Sequence, residues 1–208
     1  MHDQGIIHGD LRGVRFRARC LRPAHSSIGH KANILIHHSG HACLAGFSLL
    51  TIASDQPITP SILTDDAIPW MGPELIDPSK FNLKESRLTT KSDCYALGMV
   101  IYEVLSGQVP FSPYERTAII PKVLDGERPG RPQEGEGVLF TDGLWRMLGD
   151  CWKSLPDDRP SLDVVLGCLQ DGGKLSVRLR RGRKEGWASK FFHSLKAFKF
   201  SFGGPRGP

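Results

Sequence analysis

From residue 92 to residue 106 the chain is apolar on nearly every face of a helix, through Ala96, Leu97, Met99, Val100, Ile101, Tyr102, Val104 and Leu105. A helix that is apolar all round belongs in the interior of a domain. Ser92 is placed to cap its first turn, Gly107 to close its last and Pro110 to stop it continuing. Further helices are predicted over 112–125, 141–153 and 161–170. The stretch 125–138 is dense in glycine, proline and charge and reads as a surface loop. Upstream, residues 34–36 and 42–45 are short apolar runs on either side of His37-His38-Ser39-Gly40-His41, the pattern of a β-hairpin. The hairpin's His37, His38, His41 and Cys43 lack a second ligand cluster at zinc spacing, so the plain reading is a turn whose histidines face solvent.

The chemistry-bearing residues are concentrated in short motifs. His8-Gly9-Asp10-Leu11-Arg12-Gly13 breaks off, and Ala32-Asn33-Ile34-Leu35-Ile36 resumes after 18 intervening residues. Joined directly they would read HGDLRGANILI, which resembles the catalytic loop and following strand of a protein kinase. Leu44-Ala45-Gly46-Phe47-Ser48 is similar to the Asp-Phe-Gly metal-binding turn of that family, and Trp70-Met71-Gly72-Pro73-Glu74-Leu75 to the Ala-Pro-Glu motif closing its activation segment. Lys91-Ser92-Asp93-Cys94-Tyr95-Ala96-Leu97-Gly98 resembles the start of the family's buried central helix. Cys151-Trp152 with Pro156-Asp157-Asp158-Arg159-Pro160-Ser161 resembles the ending common in tyrosine kinases and tyrosine-kinase-like kinases. Any one of these motifs is weak alone; five in the family's order make chance a poor explanation.

The resemblance implies a fold and a set of roles. The fold is mainly α within an α+β family: the helical large lobe of a kinase-like domain over residues 1–170, with a short β-hairpin. Only seven residues precede His8, so the expectation is that the small lobe, with its phosphate-covering loop and its Lys–Glu pair, is missing. Family activity is transfer of the ATP γ-phosphate to protein hydroxyls, with ATP and magnesium as cofactors. By resemblance Asp10 is the base, Arg12 the charge stabiliser, and Asn33 and position 46 the metal ligands. Here Asn33 is displaced from Asp10 by the insert, and Gly46 has no oxygen to offer a hard cation. Glu74 and Arg159 are implied to form a buried ion pair and Asp93 to sit under the amides near His8, so these three residues are assigned to structure. The expectation is therefore a truncated, degenerate lobe that has lost activity. The alternatives are a pseudokinase module binding partner proteins in signalling, and an inactive truncated or mis-spliced product.

Composition and charge refine this. No run of 18 apolar residues and no secretory leader pattern occur, and the five cysteines are odd in number without paired spacing, so an intracellular, cytoplasmic chain with free thiols is expected. Residues 14–31 carry five basic side chains and no acid, and residues 171–208 carry ten basic and two acidic ones. Against a total of +5, the rest of the chain carries −8, which argues against a nucleic-acid-binding core. Residues 14–31 read either as a basic surface loop or as a retained intron, since a valine codon supplies the GU start and a lysine codon the AG end. In the 171–208 tail Trp187, Phe191, Leu195, Phe198 and Phe202 recur at helical spacing with Lys190, His193, Lys196 and Lys199 opposite. That pattern suits a membrane-surface or calmodulin-type helix, with a helix docked on the body or a disordered extension as the plainer readings.

Overall fold

The computed structural model describes residues 2–16, 32–36, 42–46, 49, 51–52, 65–132 and 140–170. In chain order its strands are β1 (Ile6–Ile7), β2 (Val14–Phe16), β3 (Ile34–Ile36), β4 (Ala42–Leu44) and β5 (Thr51–Ile52). The helices are α1 (Pro73–Ile76), α2 (Thr90–Ser106), α3 (Arg116–Leu124), α4 (Asp142–Cys151) and α5 (Leu162–Gln170). Short 3-10 turns occur at His2–Gln4, Asp65–Trp70, Pro78–Phe81 and Pro156–Asp158. The fold is mainly α with a small β component, the helical large lobe that the sequence motifs imply.

The apolar pattern of α2 has its expected consequence: Cys94, Tyr95, Met99, Val100, Ile101, Val104 and Leu105 are all buried. Around them pack Ile119 and Val123 of α3, Leu144, Leu148 and Cys151 of α4, and Val165 and Leu169 of α5. Gly98 lets α2 and the end of α4 approach closely, because a Cβ there would stand 2.9 Å from Cys151 Cβ and 2.7 Å from Trp152 Nε1. The aromatic rings of Tyr102, Phe140, Trp145 and Trp152 pack tilted or edge-on at 5.6–6.0 Å between centroids on that side.

Several boundaries differ from the sequence reading. Ser92 is not the cap of α2: Thr89 accepts the Ser92 amide at 3.0 Å, while the Ser92 hydroxyl oxygen accepts the Thr89 amide at 2.9 Å. Together they form a capping box with serine in the place of the usual Glu. Helix α3 starts at Arg116 rather than 112, because the chain first makes a turn in which the Tyr114 amide donates to the Phe111 carbonyl at 2.9 Å. Pro113 within that turn has no amide to give a helix. Thr141 caps α4 by accepting the Leu144 amide at 3.3 Å. The start of the 125–138 loop is pinned by Arg128, which donates to the carbonyls of Trp152 at 2.7 Å and Val123 at 3.1 Å and to the Ser154 hydroxyl at 2.9 Å.

The β component consists of two small sheets. Strand β1 pairs antiparallel with β5, Ile6 opposite Ile52, and delivers the chain to His8. Strands β3 and β4 form the predicted hairpin with Ile34 opposite Leu44, its connecting turn lying outside the described residues. The opposite edge of β3 carries β2 in parallel, Val14 opposite Ile34 and Phe16 opposite Ile36. The first three residues of the 14–31 insert are thus part of a sheet, a correction to reading it as loop from its start. An edge strand offers a row of amides and carbonyls that an extended neighbour can satisfy, and the long connection to Ile34 permits parallel pairing. The remainder of the insert and the tail, 171–208, lie outside the described residues.

A buried ion pair ties the middle of the chain to its end. Arg159 donates Nη1 to Glu74 Oε1 at 2.7 Å and Nη2 to Glu74 Oε2 at 2.6 Å, with both side chains almost fully buried. The same guanidinium donates to the carbonyls of Lys153, Lys91 and Ser154 and lies over the Tyr95 ring at 5.0 Å. Removing one partner strands a buried charge, so Glu74→Ala is expected to lower stability by about 3–5 kcal/mol in urea titration. Deleting 14–31 is expected to do much less. The Asn33 amide already donates to the Arg12 carbonyl at 2.9 Å, and with residues 13 and 32 joined that bond becomes the closing bond of a β-turn. Cooperative unfolding with stability within about 2 kcal/mol of the full chain is the expected result, and a larger loss would make the segment a packed structural element.

Candidate functional site

The site is built outward from the first turn of α2. Asp93, buried there, accepts the His8 amide on Oδ2 at 2.8 Å and the Gly9 amide on Oδ1 at 2.9 Å. His2 Nε2 approaches Oδ2 at 2.9 Å. Three donors from 84 to 91 residues upstream thus converge on one carboxylate. His2 carried no local signal in the sequence, and neither did the role of the Gly9 amide. Both become visible only through the contact with Asp93.

His8 carries the order forward. Its Nε2 lies 3.0 Å from the Ala45 carbonyl, which can only accept, and its Nδ1 receives the Asp10 amide at 3.2 Å. The two contacts define a ring that donates through Nε2 and accepts through Nδ1. It therefore links the loop holding Asp10 to the turn holding Gly46.

Asp10 is closed in by its neighbours. Oδ1 lies 2.8 Å from Arg12 Nε in an ion pair whose side chains are 10% and 5% exposed. Oδ2 accepts Asn33 Nδ2 at 2.7 Å, and that same nitrogen lies 2.7 Å from the Asp10 carbonyl. Burial is the dominant influence on the Asp10 carboxyl and raises its pKa above the ordinary value of 3.8, with Arg12 and Asn33 pulling in the opposite direction. Arg12, the charge stabiliser implied by resemblance, is buried against Asp10.

Asn33 stands elsewhere than its sequence spacing suggests. The insert separates it from Asp10 along the chain but not in space, since the two side chains are hydrogen-bonded. Its backbone is fixed too: the Asn33 amide donates to the Arg12 carbonyl at 2.9 Å and its carbonyl accepts the Ala45 amide at 2.8 Å. Displacement of Asn33 is therefore corrected.

The magnesium site implied by resemblance is not built by these residues. Magnesium demands about six oxygens in near-octahedral array at roughly 2.0–2.1 Å. Gly46 has no side-chain oxygen, and its φ of +73° lies in the region that favours glycine. A Cβ at position 46 would overlap Oδ1 and Cγ of Asn33 and stand 2.7 Å from its Nδ2. The Asn33 carboxamide thus fills the space that the Cβ of any side chain at residue 46 would need. Among the described residues no group of three His, Cys, Asp or Glu side chains is arranged to hold a metal ion.

The raised Asp10 carboxyl makes a signed prediction. The folded chain holds this proton more tightly than the unfolded one, so Asp10 contributes stability at low pH that is lost as pH rises through the interval above 3.8. The stability of the natural chain minus that of Asp10→Asn, from urea titrations at a series of pH values, is expected to fall as pH rises through that interval. A difference that grows with pH would contradict it.

Comparison with known proteins agrees with this architecture. The family model for protein tyrosine and serine/threonine kinases matches residues 25–169, which leaves Asp10 and Arg12 outside the matched span. The chain is 30% identical over 175 residues to a light-sensor protein kinase of Ceratodon purpureus, covering 79% of this chain and 12% of that protein. It is 27% identical over 139 residues to the cytoplasmic tyrosine-protein kinase BMX of Mus musculus, covering 66% and 20%. It is 31% identical over 141 residues to a probable serine/threonine-protein kinase of Dictyostelium discoideum, covering 67% and 14%. The chain thus spans between 12% and 20% of the length of these relatives. With α2, α3, α4 and nearly all of α5 inside the matched span, the chain belongs to the protein tyrosine and serine/threonine kinase family.

Proposed function

We propose that this kinase-family lobe is a pseudokinase module that binds protein partners and does not transfer phosphate. One observation carries the reading: Gly46 stands at the metal turn with Asn33 packed into the space above it. Phosphoryl transfer relies on a metal to bridge the phosphates and neutralise developing charge, and neither ATP nor magnesium is held productively by such a site. Asp10 is engaged by Arg12 and Asn33 on its two oxygens, which further argues against a base waiting for a substrate hydroxyl.

The partner-binding half of the proposal is supported by an open cleft of about 710 Å³ beside Pro69, lined by Val109, Pro110, Pro113, Tyr114 and Ile119. A lining that mixes these apolar side chains with Gln108, Ser112, Glu115, Arg116 and Thr117 suits a polypeptide surface. An intracellular location is part of the same proposal, resting on the free thiols of Cys43, Cys94, Cys151 and Cys168 among the described residues and on the mouse relative being a cytoplasmic tyrosine-protein kinase. Among the described residues no helix is long and apolar enough to cross a membrane. The tail, 171–208, is proposed as an accessory membrane-surface or calmodulin-type segment on its sequence pattern alone.

A second reading concerns residues 14–31 and rests on the Arg12–Asn33 backbone bond. The excursion leaves and returns at β-turn distance, as a retained in-frame intron product would need in order to fold. A transcript survey across this segment decides it, since an insert-containing message alone would remove the intron reading.

The decisive assay for the main proposal uses the purified 208-residue chain with labelled ATP, magnesium or manganese and a generic protein substrate. Incorporation no greater than that of Asp10→Ala is expected. Label incorporated by the natural chain and lost in Asp10→Ala would overturn the proposal.

A further inference from the structure

We infer that Asn33 serves this chain as an internal bolt where the family places a metal ligand, and that Gly46 and Asn33 are a mutually dependent pair. Beyond the proposed lack of phosphoryl transfer, the pair holds the loop together, and it is tested by stability and metal binding without an activity readout.

Asn33 is 7% exposed and fastened from three sides. Its amide reaches Arg12, its carbonyl receives Ala45 and its Nδ2 reaches both the carbonyl and the carboxylate of Asp10. One residue thus joins the two halves of the interrupted loop to the turn that contains Gly46.

The carboxamide also explains the glycine. Its Oδ1 and Cγ lie 2.1 and 2.2 Å from where a Gly46 Cβ would stand, so even a methyl group there would overlap them. An aspartate at 46 and Asn33 in its present place exclude one another. Restoring the acid alone would therefore drive Asn33 off Asp10 and would not rebuild a metal site. Steric complementarity at this contact makes each residue conditional on the other, which a double-mutant cycle measures.

The test combines a cycle with metal titration. Thermal midpoints are measured for the natural chain, Asn33→Ala, Gly46→Ala and the double variant. The backbone strain of a side chain at φ +73° is common to both Gly46→Ala backgrounds and cancels. Expected is a midpoint loss from Gly46→Ala that is clearly smaller when Asn33 is already Ala. Equal losses in the two backgrounds would overturn the pair.

Because Gly46→Ala alone can prevent folding, the natural chain supplies a second measurement. Its midpoint is expected to stay level across magnesium chloride at matched ionic strength, and the spin-resonance signal of added Mn²⁺ is expected to keep its free-ion amplitude. Loss of that amplitude, recovered in Asn33→Ala, would make Asn33 a metal ligand and refute the bolt. Loss that persists in Asn33→Ala places the ion elsewhere and supports it.

Discussion

The arrangement of the loop depends on one buried carboxylate. Asp93 has been withdrawn from water in the first turn of α2, and an ionised group in that position is tolerable only with donors on its oxygens. The amides of His8 and Gly9 and the ring of His2 provide them, and the helix N-terminus adds a favourable dipole. Burial of α2 is hydrophobic in origin, yet it is what makes these polar bonds obligatory. The loop therefore inherits its position from the core.

From Asp93 the order passes outward in discrete steps. His8 joins the loop to Ala45, Ala45 joins the next turn to Asn33, and Asn33 returns to Asp10. The polar groups along this route satisfy one another, and a network of that kind rigidifies in low dielectric surroundings. The same closure leaves the carboxylate of Asp10 turned inward. A loop geometry that serves chemistry elsewhere in the family is here held as architecture, with Gly46 as the point at which the two requirements part.

Much of this was legible in the chain. The unbroken apolar run in α2 has only one stable location, and the paired runs at 34–36 and 42–45 allow little besides a hairpin. Glu74, Asp93 and Arg159 are named by resemblance, and the structure gives Glu74 and Arg159 a buried ion pair and Asp93 two backbone amide donors. What escaped reading is contact between distant residues. Spacing says that 18 inserted residues separate Asn33 from Asp10, but an excursion of any length can begin and end at one place. Thr89 and Ser92 are equally good caps by type, and only the reciprocal bonds select Thr89. Strand β2 was hidden because its partner edge is created by a hairpin that forms downstream of it. His2 was invisible for the same reason, its acceptor being 91 residues away.

The long reach of the polar contacts has a consequence for synthesis of the chain. The bond from His8 to Asp93 and the pair of Glu74 with Arg159 each close a span of 85 residues. At the roughly 5–20 residues per second of translation, several seconds or more pass between the emergence of the two partners. During that interval the loop and its short strands leave the ribosome before the helix that orders them, with apolar β segments uncovered. Until Asp93 emerges, the three donors that converge on it lack their native acceptor.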